Sequence, residues 1–296
     1  MNTLRVVTLN VGSLFEPHWE RRAPRIARAL AALEPDVVCL QEIADSSGRP
    51  NAAQEIVDAI GDHGGDLTNL VYGGLPMVEG LYPDEPDLQF GSAVLSRFPV
   101  ELVATHALPV DGEGTRASTM GWELVHARTA GLDIFSTHLC AAPTDANHRR
   151  VQVQEINRLI QETRTEVDTD VWSPDRPEMP PILCGDFNAE PDSDEIRFLC
   201  GLTPLGGVDT FYQDSWRVAA DGSVGHTNDW ANPFGGNLNV HRKRIDYVFV
   251  GDPFLRRGSG GRVIEAHVVL DEEVDGVPLS DHLGVMALIA WPNSPG

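Results

Sequence analysis

Asp186 and Asn188 stand two positions apart at the end of an apolar run, Pro180-Pro181-Ile182-Leu183-Cys184-Gly185-Asp186-Phe187-Asn188. Extended backbone sends residues i and i+2 to the same side, so this acid and amide can address one bound group. If Ile182 to Cys184 form a buried strand, Gly185 lets the chain turn tightly at its end. The pair then projects from the rim, where α/β proteins carry their chemistry. An Asx-type turn, in which both side chains only cap backbone groups, explains the pair equally well when it is taken alone. The same pattern, a polar residue closing or following an apolar stretch, recurs at Asn10, Glu42, His138, Asp246 and Asp281-His282.

Acids in or just past buried strands need partners, because an isolated buried carboxylate is costly. Mutual pairing or a bound cation supplies them. Glu42, after Val37-Val38-Cys39-Leu40-Gln41, is a hard-oxygen ligand of the kind Mg²⁺ takes, with few carboxylates and several retained waters. Singly, each position has a plainer account. Glu42 can be a solvated strand end, Asn10 a turn residue and His138 a histidine bonded to a carbonyl. Asp281-His282 can be a cap, and Asp246 a salt-bridge partner of Arg244.

The elements that must position these residues can be read from periodicity. Leu4 to Val11 predicts a strand ending near Asn10. Trp19 to Leu33 predicts a helix with Ile26, Leu30 and Leu33 on its apolar face, stopped by Pro35. Asp36 to Glu42 predicts a second buried strand that ends in its acid. Strand, helix, strand implies a right-handed crossover that makes Asn10 and Glu42 neighbours. A short helix is expected over Ala52 to Ile60, and a surface excursion with one or two short strands over Gly61 to Gln89. Strands follow at Phe90 to Arg97, Val100 to Leu108, Met120 to Ala127 and Leu132 to Thr137, the last running into His138. Strands without intervening helices imply an antiparallel or mixed sheet. Thr144 to Glu166 predicts a long helix, Asp168 to Pro181 an acidic loop, and Asp192 to Leu199 a capped helix. Thr203 to Asp229 reads as short strands and loops. Lys243 to Val250, Gly261 to Leu270 and Leu283 to Trp291 read as closing strands. No low-complexity linker or composition break divides the chain, so residues 1–296 are expected to form a single domain.

Composition narrows the function. With 296 residues, 42% hydrophobic and 22% charged, the chain is of globular type and can bury a substantial core. No apolar run approaches bilayer length and the N-terminus lacks a secretory signal, so a cytoplasmic protein with no membrane partner is expected. The four cysteines, Cys39, Cys140, Cys184 and Cys200, show no metal-ligand spacing, and neither a disulfide nor a zinc site is expected. The formal charge of −22, from 44 acids against 22 bases, repels polyanions at long range and disfavours avid binding of duplex DNA.

Thr8-Leu9-Asn10, Leu40-Gln41-Glu42, Ser136-Thr137-His138-Leu139, Gly185-Asp186-Phe187-Asn188, Arg244-Ile245-Asp246-Tyr247 and Ser280-Asp281-His282 occur in that order. Together they resemble the endonuclease/exonuclease/phosphatase (DNase I-like) superfamily over essentially the whole chain. Gly91 to Arg97 and the Arg149-x-x-Gln152 helix after His138 look like secondary features of it. The resemblance implies an α/β fold, a four-layer α/β/β/α sandwich of two mixed sheets with helices outside. It also implies that Glu42 binds Mg²⁺, with Mn²⁺ as a substitute, that Asn10 lies nearby, and that Asp281 helps with a second ion. Asp186 would orient or deprotonate the attacking water, and Asn188 would hold a phosphate oxygen. His282, paired with Asp246, would touch the scissile phosphate, and His138 would donate to a phosphate oxygen or the leaving group. These residue types suit phosphate-ester hydrolysis, which needs charge neutralised, a water aimed in line and a leaving oxygen stabilised.

His241-Arg242-Lys243-Arg244 holds the only lysine of the chain. It reads either as a solvated basic turn or as a patch in which Arg242, Lys243 and Arg244 attract the substrate's non-scissile phosphates. Trp230, Asn232 and Phe234 precede it and either flank a substrate base or sugar or pack a loop. The expected activity is a divalent-metal-dependent phosphoesterase acting on a small phosphorylated metabolite, a nucleotide or a nucleic-acid end. The alternatives are a nuclease or DNA-end-processing phosphodiesterase and, more remotely, a non-catalytic phosphate-binding module. No protein partner can be inferred.

Overall fold

Apolar runs without polar alternation mark strands covered on both faces, and the chain is built around four of them. The computed structural model describes residues 3–78, 80–112, 120–165, 179–229, 231–235, 241–251 and 260–292. Its first part runs β1 (Thr3–Asn10), α1 (Trp19–Leu33), β2 (Val37–Asp45), α2 (Ala52–Asp62), β3 (Asn69–Tyr72), β4 (Leu75–Pro76) and β5 (Gln89–Ser96). The middle runs β6 (Val100–Ala107), β7 (Glu123–Thr129), β8 (Leu132–His138), α3 (Ala146–Thr165), β9 (Ile182–Asp186) and α4 (Asp194–Leu199). The last part runs β10 (Tyr212–Asp214), α5 (Ser215–Ala219), β11 (Asp246–Gly251), β12 (Val263–Val269), β13 (Glu273–Val274), β14 (Val277–Pro278) and β15 (Gly284–Ala290).

The strands form two mixed sheets. The first has the order β12-β15-β1-β2-β5-β3, with β4 beside β5, and the second the order β10-β11-β9-β8-β7-β6. Each has one parallel pair near its middle, β1 with β2 and β8 with β9, and each pair is joined through a helix, α1 or α3. Three apolar clusters define the layers. Val6, Cys39 and Val94 of the first sheet meet Val125, Ile134, Cys184 and Val248 of the second. Outside the first sheet Ile26 and Leu30 of α1 and Ile56 of α2 pack on Val7, Leu9 and Leu40. Outside the second, Ile156 and Ile160 of α3 and Ile196 of α4 pack near Phe135, Phe187 and Phe249. The molecule is the four-layer α/β/β/α sandwich. Among the described residues no helix is long and apolar enough to cross a membrane.

The two sheets are also joined by hydrogen bonds. Thr8 Oγ1 donates to Gln41 Oε1 at 3.2 Å, and the Gln41 amide donates to Ser136 Oγ across the interface at 3.1 Å. Ser92 of β5 donates to Glu123 of β7 at 2.7 Å. A buried amide must be paired, so this bridge fixes how the sheets register.

Three expectations need correction. The strand over Asp36 to Glu42 does not end at its acid. Pairing with β5 slips between Leu40 and Ile43, and β2 resumes to Asp45, so Glu42 occupies a β-bulge with φ 60°. A bulge re-aims its side chain out of the ladder. Thr203 to Asp229 contains a short helix, α5, capped by the Asp214 carboxylate on Trp216 N. Gly185 is not a turn at the strand end. It lies inside β9 with φ 146°, where a Cβ would stand 1.9 Å from the Thr137 carbonyl oxygen of β8. Close approach of two backbones selects the glycine.

Gly185→Ala should therefore lower stability by on the order of 3 kcal/mol through overpacking and strain. Urea unfolding measures this as a lower midpoint, and an unchanged midpoint would contradict the account.

Candidate active site

His138, Asp186 and Asp246 lie side by side across the second sheet: Asp186 pairs with His138 of β8 on one side and with Asp246 of β11 on the other. Glu123 of β7 extends the row beyond His138. In-register neighbours present their side chains to one face, so four titratable groups line up on adjacent strands. The first sheet brings Asn10, the last residue of β1, and Glu42 from its bulge. The amide of Asn10 joins the two sets, donating to Glu42 Oε1 at 2.9 Å and to Asp186 Oδ2 at 3.1 Å.

The Asx turn expected of Asp186 and Asn188 forms, and it leaves the second carboxylate oxygen of Asp186 facing two histidines. Asp186 Oδ1 accepts the Asn188 backbone N–H at 2.9 Å in an Asx turn, while Oδ2 faces His138 Nε2 at 3.5 Å and His282 Nε2 at 3.7 Å. Asn188 takes a left-handed φ of 49°, which asparagine tolerates. Its amide reaches the Leu139 carbonyl at 3.1 Å and lies 3.2 Å from His138 Nε2. The Trp122 and His138 rings meet at right angles with their centroids 5.2 Å apart. Behind His138, Arg149 donates to the carbonyls of Cys140 and Ala142, and Gln152 accepts from Cys140 N. The helix after His138 thus clamps the chain that carries it.

His282 pairs through Nδ1 with Asp246 Oδ2 at 2.9 Å. Burial works to lower its pKa, but Asp246, Asp281 and Asp186 together outweigh burial and hold it well above the usual histidine range. His138 differs: burial keeps it below that range despite Asp186. Glu42 is pushed up to about 7 by burial and by Asp281, against the hydrogen bond from Asn10. Ser280 Oγ donates to the Asn10 carbonyl at 2.6 Å, tying the Asp281-His282 loop to the end of β1.

Two groups of atoms suit a cation. Asp186, Asp246 and His282 offer three ligand atoms within 4.8 Å of one another. Most of those atoms already bond within the site, to Asn10, Asn188 and each other. Two carboxylate oxygens are buried without a hydrogen-bond partner, Asp246 Oδ1 in that group and Glu42 Oε2 outside it. An orphaned carboxylate oxygen beside an amide and a second acid is the donor set hard divalent cations take.

The basic patch does not act as one surface. Arg244 is buried, donates from both terminal nitrogens to the Asp214 carboxylate at 3.1 and 2.8 Å, and stacks over Tyr247. The expectation that it meets substrate is corrected: it is a core ion pair, with Asp214 and not Asp246 as partner. Arg242 is exposed beside Asp229 at 2.8 Å, and Lys243 is half-buried with its main chain paired to Asn228. Asn232 donates to the Ser280 carbonyl and Phe234 lies against the Arg22 guanidinium, so both pack a loop. Trp230 lies outside the described residues.

Sequence reading missed Glu16, Glu123 and Thr227. Thr227 Oγ1 accepts from Ile245 N and Asp246 N, setting the start of β11, and nothing in its polar loop marks it. Glu16 is pushed up to about 9 by burial and by the charges of Asp281 and Glu42. Glu123 did carry a signal, an acid inside the strand run Trp122 to Val125.

The sequence matches the model of the Endonuclease/Exonuclease/phosphatase family over residues 7–282. The chain belongs to that family. Its members are divalent-metal-dependent hydrolases of phosphoester bonds. Solved structures of the endonuclease/exonuclease/phosphatase fold agree. A Beutenbergia cavernae endonuclease/exonuclease/phosphatase shares 22% identity at TM-score 0.66, covering 100% of this chain and 73% of that one. Truncated Caenorhabditis elegans TDP2 shares 16% at 0.63, covering 97% and 98%. D. rerio TDP2 complexed with single-strand DNA product shares 18% at 0.59, covering 98% and 99%. No match was found among curated proteins.

Glu123 yields a test of the buried row. Burial pushes it from 4.5 up to about 8, against the Ser92 hydrogen bond. The folded state then holds a proton that the unfolded chain releases, so Glu123 weakens folding progressively as pH rises through that window. Glu123→Gln removes this slope. Thermal midpoints of mutant relative to wild type should become more favourable from about pH 5 to about pH 9. A difference independent of pH would contradict it.

Proposed function

We propose that the protein hydrolyses a phosphate mono- or diester with a divalent cation, Mg²⁺ or in its place Mn²⁺, held by Glu42 with Asn10 and Asp281. The observation that carries this reading is the meeting of Asn10, Glu42, His138, Asp186 and the Asp246–His282 pair, with Glu42 Oε2 buried and unpartnered. The ion would supply positive charge to the phosphate oxygens that reach it. The remaining steps belong to side chains. Asp186 Oδ2 orients the attacking water and takes its proton, held in place by the Asn10 amide. His282 donates from Nε2 to a phosphate oxygen, and Asp246 on Nδ1 holds the protonated ring in the orientation that allows it. The Asn188 amide holds a second phosphate oxygen, and His138 meets the leaving group.

For substrate, a small phosphorylated metabolite, a nucleotide or a nucleic-acid end in the cytoplasm fits best. The charge of −22 opposes a long polyanion, and with Arg244 in the core, Arg242 and Lys243 are what remains of the basic patch. The second reading, a DNA-end-processing phosphodiesterase, is favoured by the shared fold with D. rerio TDP2 in complex with single-strand DNA product.

Hydrolysis of bis-p-nitrophenyl phosphate, p-nitrophenyl phosphate, phosphorylated metabolites and short oligonucleotides should be abolished by EDTA and restored by Mg²⁺ or Mn²⁺. Asp186→Asn should lower kcat by about 10²–10⁴-fold, the usual contribution of a positioned acid–base group. Full turnover by folded Asp186→Asn protein would sink the assignment. Arg242→Glu with Lys243→Glu should raise KM for an anionic substrate at unchanged kcat, and an unchanged KM would remove the patch from the site.

A further inference from the structure

Phe15 is 50% exposed and Leu81 49%, and neither stands alone. The Phe15 ring packs edge to face on Phe90, with centroids 5.4 Å apart and planes at 67°. Phe90 forms a small core with Ala44 and Leu88, and the half-buried Leu14, Met77, Tyr82 and Met120 pack against it. Leu81 is the chain neighbour of Tyr82. Apolar side chains gathered on a surface in this way mark a place of contact.

The strip they form is continuous with both ends of the site. At the Glu42 end, Ser13 donates from N and Oγ to the Glu42 carbonyl at 3.2 and 2.6 Å, and its Oγ accepts Ala44 N at 3.0 Å. The loop that carries Leu14 and Phe15 is thereby fastened to the bulge, and Phe90 is the β5 partner of Ala44. At the other end, Met120 packs both on this core and on the cluster that holds Trp122. The Trp122 ring in turn stands against His138, the residue assigned to the leaving group.

Charge and side-chain type select what lies there. The segment from Met77 to Leu88 carries Asp84, Glu85 and Asp87 and no basic residue, so it repels an anionic lipid surface. An exposed phenylalanine flanked by methionines and a tyrosine suits a planar ring, through stacking and sulfur–aromatic contact.

We propose that this strip binds an aromatic group of the substrate on the leaving-group side of the phosphate, so that the preferred esters carry a nucleobase or another planar ring there. The inference rests on the phosphate site of the proposed function and names the substrate class of that site. Phe15 sets specificity by touching the ring, and meets no reacting atom.

The test is calorimetric binding of two inert probes to the full chain with Mg²⁺ present, 2-phenylethylphosphonate and ethylphosphonate, which share a head group and differ by the ring. The wild-type chain should bind the phenylethyl compound at least about ten-fold more tightly, the contribution of one stacked ring. Phe15→Ala should abolish most of that preference and Phe15→Trp should retain it. Ethylphosphonate should bind all three proteins alike, which reports an intact phosphate site. Equal wild-type affinities for the two probes, or a preference unchanged in Phe15→Ala, would overturn the proposal. A wild-type dimer that Phe15→Ala dissociates in sedimentation would then give the strip to a second copy of the chain. If neither phosphonate binds the wild-type chain, the phosphate site itself falls, and this inference with it.

Discussion

Carboxylates withdrawn from water are the constraint on which this structure depends. Glu42, Asp186 and Asp246 sit between or at the rims of two apolar sheets, and the groups that meet their oxygens are the Asn10 amide, the Asn188 backbone N–H and two histidines. Those partners cannot satisfy every oxygen, and Glu42 Oε2 and Asp246 Oδ1 are left over. Desolvation of unpaired negative charge opposes folding, so the arrangement persists because the surrounding sheets are strongly apolar. The cation of the proposed function would relieve that tension.

The fold creates this meeting by using one device twice. A parallel pair joined through a helix lies in each sheet, β1-α1-β2 in the first and β8-α3-β9 in the second. Each pair ends in polar residues, Asn10 with the Glu42 bulge and His138 with Asp186. The Thr8–Gln41–Ser136 bridge between sheets sets the two pairs against each other, so that the Asn10 amide can reach both Glu42 and Asp186. Gly185 allows β9 to come close enough to β8 for His138 and Asp186 to be neighbours. Positioning is therefore a property of backbone contact, with side-chain hydrogen bonds adjusting the final aim.

Much of this was legible because the residues concerned interrupt strong patterns. Asn10, His138 and Asp186 each close a β-rich apolar run, Glu42 interrupts one, and the helices α1 and α3 show clear apolar faces. What was not legible depends on contacts distant in sequence. Arg244 looked like surface because its neighbours are basic, but Asp214, thirty positions away, draws it into the core. The Glu42 bulge has no mark in Leu40-Gln41-Glu42-Ile43, since a two-residue periodicity reads the same with or without it until β5 is known. Glu16 lies in an aperiodic loop, and only the backbone bonds of Arg22 reveal where its carboxylate is held.

The central claim is that the leftover oxygen of Glu42 marks the cation site. Anomalous diffraction from crystals soaked in Mn²⁺ tests it most directly. The account predicts a peak within coordination distance of Glu42 Oε2, on the Asn10 and Asp281 side of the cleft. A single peak enclosed by Asp186, Asp246 and His282, with Glu42 uncoordinated, would contradict it.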